Sequence, residues 1–286
     1  MRLNKIQLVE RLKKRISQSR VLSLAAELVN RFYRHSVGNS AAALTYYLLF
    51  AFFPFLIFVS SLLGRLELPP ISTQTLRTFI PLEILELMNS FLQHVRESTT
   101  APLLIFGLIF AVYFPLRAVS SLMDFICLAY ETREKRSLLH RGFLILLVAV
   151  GLVVAIAVSM VILVAGQPLL TFVARFLPLS LKGIQLWSTL RFLLLGGVIL
   201  VLLLLLYLVA PGRVVPLRRA LPGAVGSLCC WLMYTVGFSF YVEHMGNYSV
   251  VYGSIGAIIV LLLWLYATSV TIIMGAELNA ALAKRR

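Results

Sequence analysis

Six hydrophobic runs, each long enough to cross a bilayer, constrain this chain more than any other feature. They cover residues 39–64, 102–130, 141–165, 187–210, 220–241 and 252–281. A hydrocarbon core of about 30 Å takes about 20 helical residues, and every run supplies them. Inside lipid, only helices and closed barrels satisfy their own backbone groups. The runs are continuously apolar and lack the alternation of barrel strands, so they predict helices. The expected fold is all-α: a polytopic integral membrane protein, a bundle of six transmembrane helices with amphipathic helices at its surfaces. A mean hydropathy of +0.94 fits it.

The loops are too short to fold alone; the longest, 65–101, is under forty residues. The expected organisation is a basic amphipathic segment at 1–38, one membrane domain at 39–281 and a short basic tail at 282–286. The N-terminal segment lacks the short apolar core of a cleavable signal, which leaves the first span as the expected targeting signal.

A net charge of +15 raises the question of nucleic acid, and its placement answers it. Nineteen Lys and Arg fall in segment 1–38, the loops 131–141 and 211–219, and the tail; the opposite side carries five. By the positive-inside rule this predicts a multi-pass membrane protein with both termini cytoplasmic. The basic side would meet membrane lipids through their anionic headgroups. No aromatic-and-basic module accompanies the charge, so no nucleic-acid partner is expected.

Along the chain, residues 3–35 carry apolar positions at helical spacing between Lys and Arg. Such a helix either lies on the membrane surface or packs on the cytoplasmic loops. Residues 84–97 repeat the pattern and are expected to rest on the outer face, with 168–179 as a second surface piece. Asn39 is a good N-cap for the first span. Pro54 and Pro115 lie within spans one and two, where each removes a backbone donor and predicts a bend. Gly253, Gly256 and Gly275 in the last span predict close helix packing.

Catalytic signatures are missing: no HExxH, Walker loop, GxSxG or dinucleotide fingerprint occurs. His35, His94, His140 and His244 are scattered over four span ends or loops, so no metal site and no cofactor are expected. Cys127, Cys229 and Cys230 all fall within spans and make a poor disulfide framework. Charge inside the membrane remains, and it is costly and usually functional. Arg117 lies near the centre of span two and is expected to face the bundle interior with partners. Ser120, Ser121 and Asp124 follow on the same helix face, Asp124 being about 10 Å nearer the basic side. Glu277 is expected at a depth similar to Asp124. These residues outline either a polar cavity lined by Arg117, Asp124 and Glu277, with Asn39, Thr45 and Tyr46 as companions, or an ion pair that locks the bundle.

Several stretches together resemble one family. NSAAALTYYLLFAFFPFLIFVSSLLG (39–64) is similar to the first span of the BrkB/YihY family of bacterial inner-membrane proteins. The last span, with its YGSIGA opening, Trp264 and the GAELNA close, resembles that family's more strongly. APGRVVPLRRALPGA (210–224) and EKRS (134–137) match its loops. The resemblance covers nearly the whole chain and implies roles for Tyr46, Pro54, Tyr252, Gly253, Gly256, Trp264, Gly275, Glu277 and Asn279. One departure stands out: an Asn common near the end of span two is Cys127 here. The family once carried a ribonuclease label now regarded as mistaken, and its members look like permeases. The function expected is therefore movement of an amphipathic or anionic envelope molecule, not enzymatic. A non-transporting scaffold and a membrane-embedded hydrolase are the alternatives.

Overall fold

The computed structural model describes residues 20–66, 84–86, 88–90, 101–164, 181–244 and 248–285, some inner helical side chains excepted. Its long helices are α1 (Arg20–Arg34), α2 (Val37–Leu66), α3 (Ala101–Ala129), α4 (Leu138–Val164), α5 (Leu181–Val209), α6 (Leu217–His244) and α7 (Tyr248–Lys284). No strand occurs among the described residues. Helices α2 to α7 each contain a segment long and apolar enough to cross a membrane, and they coincide with the six runs. The protein is an all-α polytopic membrane protein.

The helices form a ring in chain order, α2 against α3, α3 against α4 and so on to α7, which closes on α2 and also touches α3. The α2–α3 and α6–α7 pairs pack most extensively. Large aliphatic side chains such as Leu146, Val153, Val201 and Leu263 point outward, as a lipid-facing surface requires.

Small residues draw the helices together. Ala41, Ala118, Ala129, Ala210, Ala220, Ala224, Ala276 and Ala280 are buried in one cluster with Met123, Ile126, Tyr207 and Ile273. Without a hydrophobic driving force between helices in lipid, such close approach supplies the packing energy. Gly223 and Gly275 mark the tightest crossing, of α6 and α7. A Cβ on Gly275 would run into Ser227 Oγ and Tyr207 OH and lie 2.9 Å from the Gly223 carbonyl. Gly256 is buried as well, while the surroundings of Gly253 lie outside the described residues.

Two sequence expectations change. The first span starts at Val37, so Asn39 is an exposed residue of the opening turn and not the cap. Ser36, at φ +50°, makes the break with α1. Residues 84–90 reach into the bundle: Ile84 is buried in a cluster with Phe238, Val260, Leu261 and Leu265. Its apolar face thus finds helices and not a surface. Pro54 and Pro115 both lie inside continuous helices, α2 and α3, where a proline bend leaves the helix unbroken. The stretch 168–179 lies outside the described residues.

The basic loops are built tightly. α3 ends in a Schellman motif, with Thr132 N–H donating to the Cys127 carbonyl and Glu131 N–H to Leu128. Glu131 takes the left-handed conformation at φ +53° that this motif needs. Thr132 Oγ1 then donates to the Pro211 carbonyl at 2.6 Å, and Cys127 Sγ to the Ala210 carbonyl at 3.1 Å. These bonds join the loop after α3 to the loop after α5. They also show what Cys127 does here: it is a buried donor to a loop carbonyl.

Candidate functional site: two polar clusters at the basic end of the bundle

Arg117, Asp124 and Glu277 do not share one cavity. Glu277 is 1% exposed and faces α1. Its Oε2 accepts from Arg31 Nη1 at 3.1 Å, and its Oε1 lies 2.6 Å from His35 Nδ1. Arg31 also donates to Glu27 at 3.1 Å and to the Ala129 carbonyl at 3.3 Å. Arg285, past the end of α7, returns to Glu27 and Ser23. One carboxylate therefore ties α1 and α7 together, and Arg31 adds the end of α3. Burial opposes the charge of Arg31, yet the hydrogen bonds and charges of Glu277 and Glu27 outweigh it and hold the group above its ordinary pKa. Beside this cluster Lys284 Nζ bonds Glu131 Oε1 at 2.7 Å.

The local sequence explains the geometry. Arg31 and His35 are four residues apart and share a helix face with Leu24 and Leu28. That face docks on α7, leaving Val21, Leu22, Val29 and Tyr33 exposed. The described part of the segment, α1, thus packs on α7, while residues 3–19 lie outside the described residues. The missed signal was the Arg-x-x-x-His spacing, which presents an arginine and a histidine to one acid.

Two residues beyond Glu277, Asn279 bridges α7 to α6. Its Oδ1 accepts from Gly223 N–H at 2.7 Å and its Nδ2 donates to the Ala220 carbonyl at 2.9 Å. The Tyr207 hydroxyl lies 2.8 Å from Ser227 Oγ and 2.7 Å from the Ile272 carbonyl. Glycine at 223 and 275 leaves space for these polar groups, so the GAELNA stretch is a seam between helices.

The second cluster lies on α3 and α4. Asp124 pairs with Arg141 of α4, Oδ2 to Nη2 at 2.8 Å, and the same nitrogen donates to Ser120 Oγ at 3.1 Å. Ser120, and not Ser121, is the serine engaged; Ser121 is half-buried beside it. The Asp124 side chain is 54% exposed. Arg117 is exposed rather than inward, and its guanidinium stands 5.9 Å from the Tyr113 ring centroid. It forms no ion pair with Asp124 or Glu277. Seven residues separate it from Asp124, about 10 Å of rise, which is too far for a direct bond. Tyr46 is exposed on α2 and packs on Phe50, which packs on Phe114 of α3, at centroid distances of 4.7 and 5.3 Å. Thr45 is buried and bonds its own Ala41 carbonyl. Asn39 joins neither cluster. Among the described residues no three His, Cys, Asp or Glu side chains gather in a group that could hold a metal ion.

With this geometry in place, comparison with known proteins becomes specific. The family profile described as "Virulence factor BrkB" matches residues 28–286, from α1 to the end of the chain. The chain belongs to the BrkB family. The match opens inside α1, three residues before Arg31, so both partners in the α1–α7 tie lie within it. A "Putative ribonuclease-like protein YfkH" of Bacillus subtilis (strain 168) is 31% identical over 93% of this chain and 97% of its own length. A "UPF0761 membrane protein XCV0968" of Xanthomonas euvesicatoria pv. vesicatoria is 26% identical over the whole chain and 66% of its own length. The corresponding protein of Xanthomonas axonopodis pv. citri, XAC0937, is also 26% identical, over 64% of its length. The chain thus spans about two thirds of the Xanthomonas relatives. No solved structure matches it.

Proposed function

We propose that this protein is a bacterial inner-membrane permease, with both termini cytoplasmic, that moves or helps move an anionic amphiphile such as an envelope lipid. The observation that carries the reading is Arg117, a cation exposed on a membrane-spanning segment about 18 Å from the basic end of α3. At the centre of a span an arginine costs about 2.5–3.5 kcal/mol on the insertion scale. A passing anion would offset that cost, and Ser120, Ser121 and Asp124 extend the polar stripe from it toward the basic end. Membrane lipids are the partners proposed, with their headgroups at the basic loops, and no nucleic acid. No catalytic role is part of this reading; the ribonuclease-like name belongs to the Bacillus relative. The cross-ties around Glu277 favour a second reading, a non-transporting scaffold, because they brace the bundle rather than open it.

Lipid translocation in proteoliposomes tests the proposal. Wild type and Arg117→Ala are compared at matched reconstitution with a labelled anionic lipid. Faster movement by wild type, lost in the variant, is the expected result. No movement above empty liposomes under any imposed proton gradient removes the lipid version and leaves the scaffold in front.

A further inference from the structure

The two polar clusters differ in how firmly they hold. Glu277 and Arg31 are buried, with side chains 1% and 6% exposed, whereas the Asp124–Arg141 pair is open to its surroundings. An exposed ion pair is worth little, about a fivefold bias at most. Arg141 also has capacity to spare: among the described residues only its Nη2 is engaged, by Asp124 and Ser120. Nε and Nη1 keep their donors, and a guanidinium fork matches a phosphate group better than a lysine does.

The surroundings of the pair select the ligand. Leu128 follows Asp124 by one turn on α3, and Leu138 precedes Arg141 by one turn on α4; both are exposed, Leu138 by 89%. A charged spot bordered by bare aliphatic side chains fits a molecule with a phosphate head and acyl chains. Farther along the same face of α3 stands Arg117, about 10 Å inward. The α3–α4 contact is also among the slighter ones in the ring.

We propose that the Asp124–Arg141 pair is a displaceable binding site for the phosphate of an anionic phospholipid: the headgroup takes Arg141 in place of Asp124, loosens α4 from α3 and exposes the face that leads to Arg117. The inference rests on the amphiphile reading above, but it is a statement about binding and is measured separately from movement. Asp124 acts as a competitor for the headgroup. Its neutralisation therefore strengthens binding, an outcome that misfolding does not produce.

The experiment measures binding of phosphatidylglycerol to the purified full chain in mild detergent by native mass spectrometry. Phosphatidylcholine serves as the net-neutral control and inorganic phosphate as competitor. Asp124→Asn is expected to bind phosphatidylglycerol about threefold to fivefold more tightly. Arg141→Gln is expected to bind it about tenfold more weakly, with Arg141→Lys in between. Phosphatidylcholine binding stays level across the set, and millimolar phosphate does not compete. Equal weakening by Asp124→Asn and Arg141→Gln, or no change in either, overturns the site. Competition by inorganic phosphate overturns the lipid assignment. If binding follows the expected order while no variant translocates lipid, the site stands and the permease reading falls.

Discussion

Glu277→Ala is the most demanding test of the buried cluster. The substitution removes the 3.1 Å bond to Arg31 and the 2.6 Å contact with His35. Removing one partner of a buried pair costs about 3–5 kcal/mol, because the remaining charge is left in a poor solvent. Arg31 retains Glu27 and the Ala129 carbonyl, so the lower end applies, about 3 kcal/mol. For a chain of this size that lowers the melting temperature by about 6–12 °C. The assay is thermal unfolding in detergent, followed by circular dichroism, for wild type, Glu277→Ala, Arg31→Met and the double variant Glu277→Ala with Arg31→Met. Apolar replacement of both partners removes the stranded charge, so the double variant is expected to lose less than the two singles added together, by about 2 kcal/mol or more. A drop under about 2 °C for Glu277→Ala, or strict additivity, refutes the claim that these side chains hold α1 against α7.

Other expectations are narrower. Gly275→Ala drives a methyl into Ser227, Tyr207 and the Gly223 carbonyl; about 1–3 kcal/mol of destabilisation is expected in the same melts. Gly237→Ala meets nothing within 4 Å and is expected to be neutral or slightly stabilising. Glu131, held below the usual carboxylate range by its hydrogen bond to Lys284 and by nearby cations, gives a pH signature. A carboxyl with a depressed folded pKa stabilises above its unfolded value and loses that contribution as pH falls through the folded one. Wild type should therefore approach Glu131→Gln in stability as pH drops from about 5 toward 3, a difference read from paired melts at low salt. Substituting Asn279 with Leu removes bonds to Gly223 N–H and the Ala220 carbonyl; the stranded groups should cost about 2 kcal/mol or more, measured by denaturant titration.

The spans were legible because each needs only length and apolarity, and α2 to α7 fall where the runs predict. The family was legible from short stretches such as YGSIGA and GAELNA. Partner choice was not. Helical periodicity tells which residues share a face but not which neighbour that face meets. Glu277 and Asp124 were assigned similar depths, yet they serve different helices on different sides of the ring. The expectation that Arg117 turns inward followed from the cost of charge in lipid, and the fold leaves it exposed beside Tyr113. The Asp124–Arg141 pair could have been anticipated: a short loop makes α3 and α4 antiparallel neighbours, which brings seventeen-residue-distant positions to one level. The reach of α1 to Glu277 had only the spacing of Arg31 and His35 to announce it.

Arg31 and Glu277 are separated by 246 residues. A ribosome adding about 5–20 residues each second needs roughly 10–50 s to cover that distance. Throughout that interval Arg31 has only Glu27 of its own helix as an acidic partner, and the earlier spans must be inserted while it waits. The pairing becomes available only when the final span has entered the bilayer. A product truncated before the final span would thus lack Glu277 and leave α1 without its tie to α7.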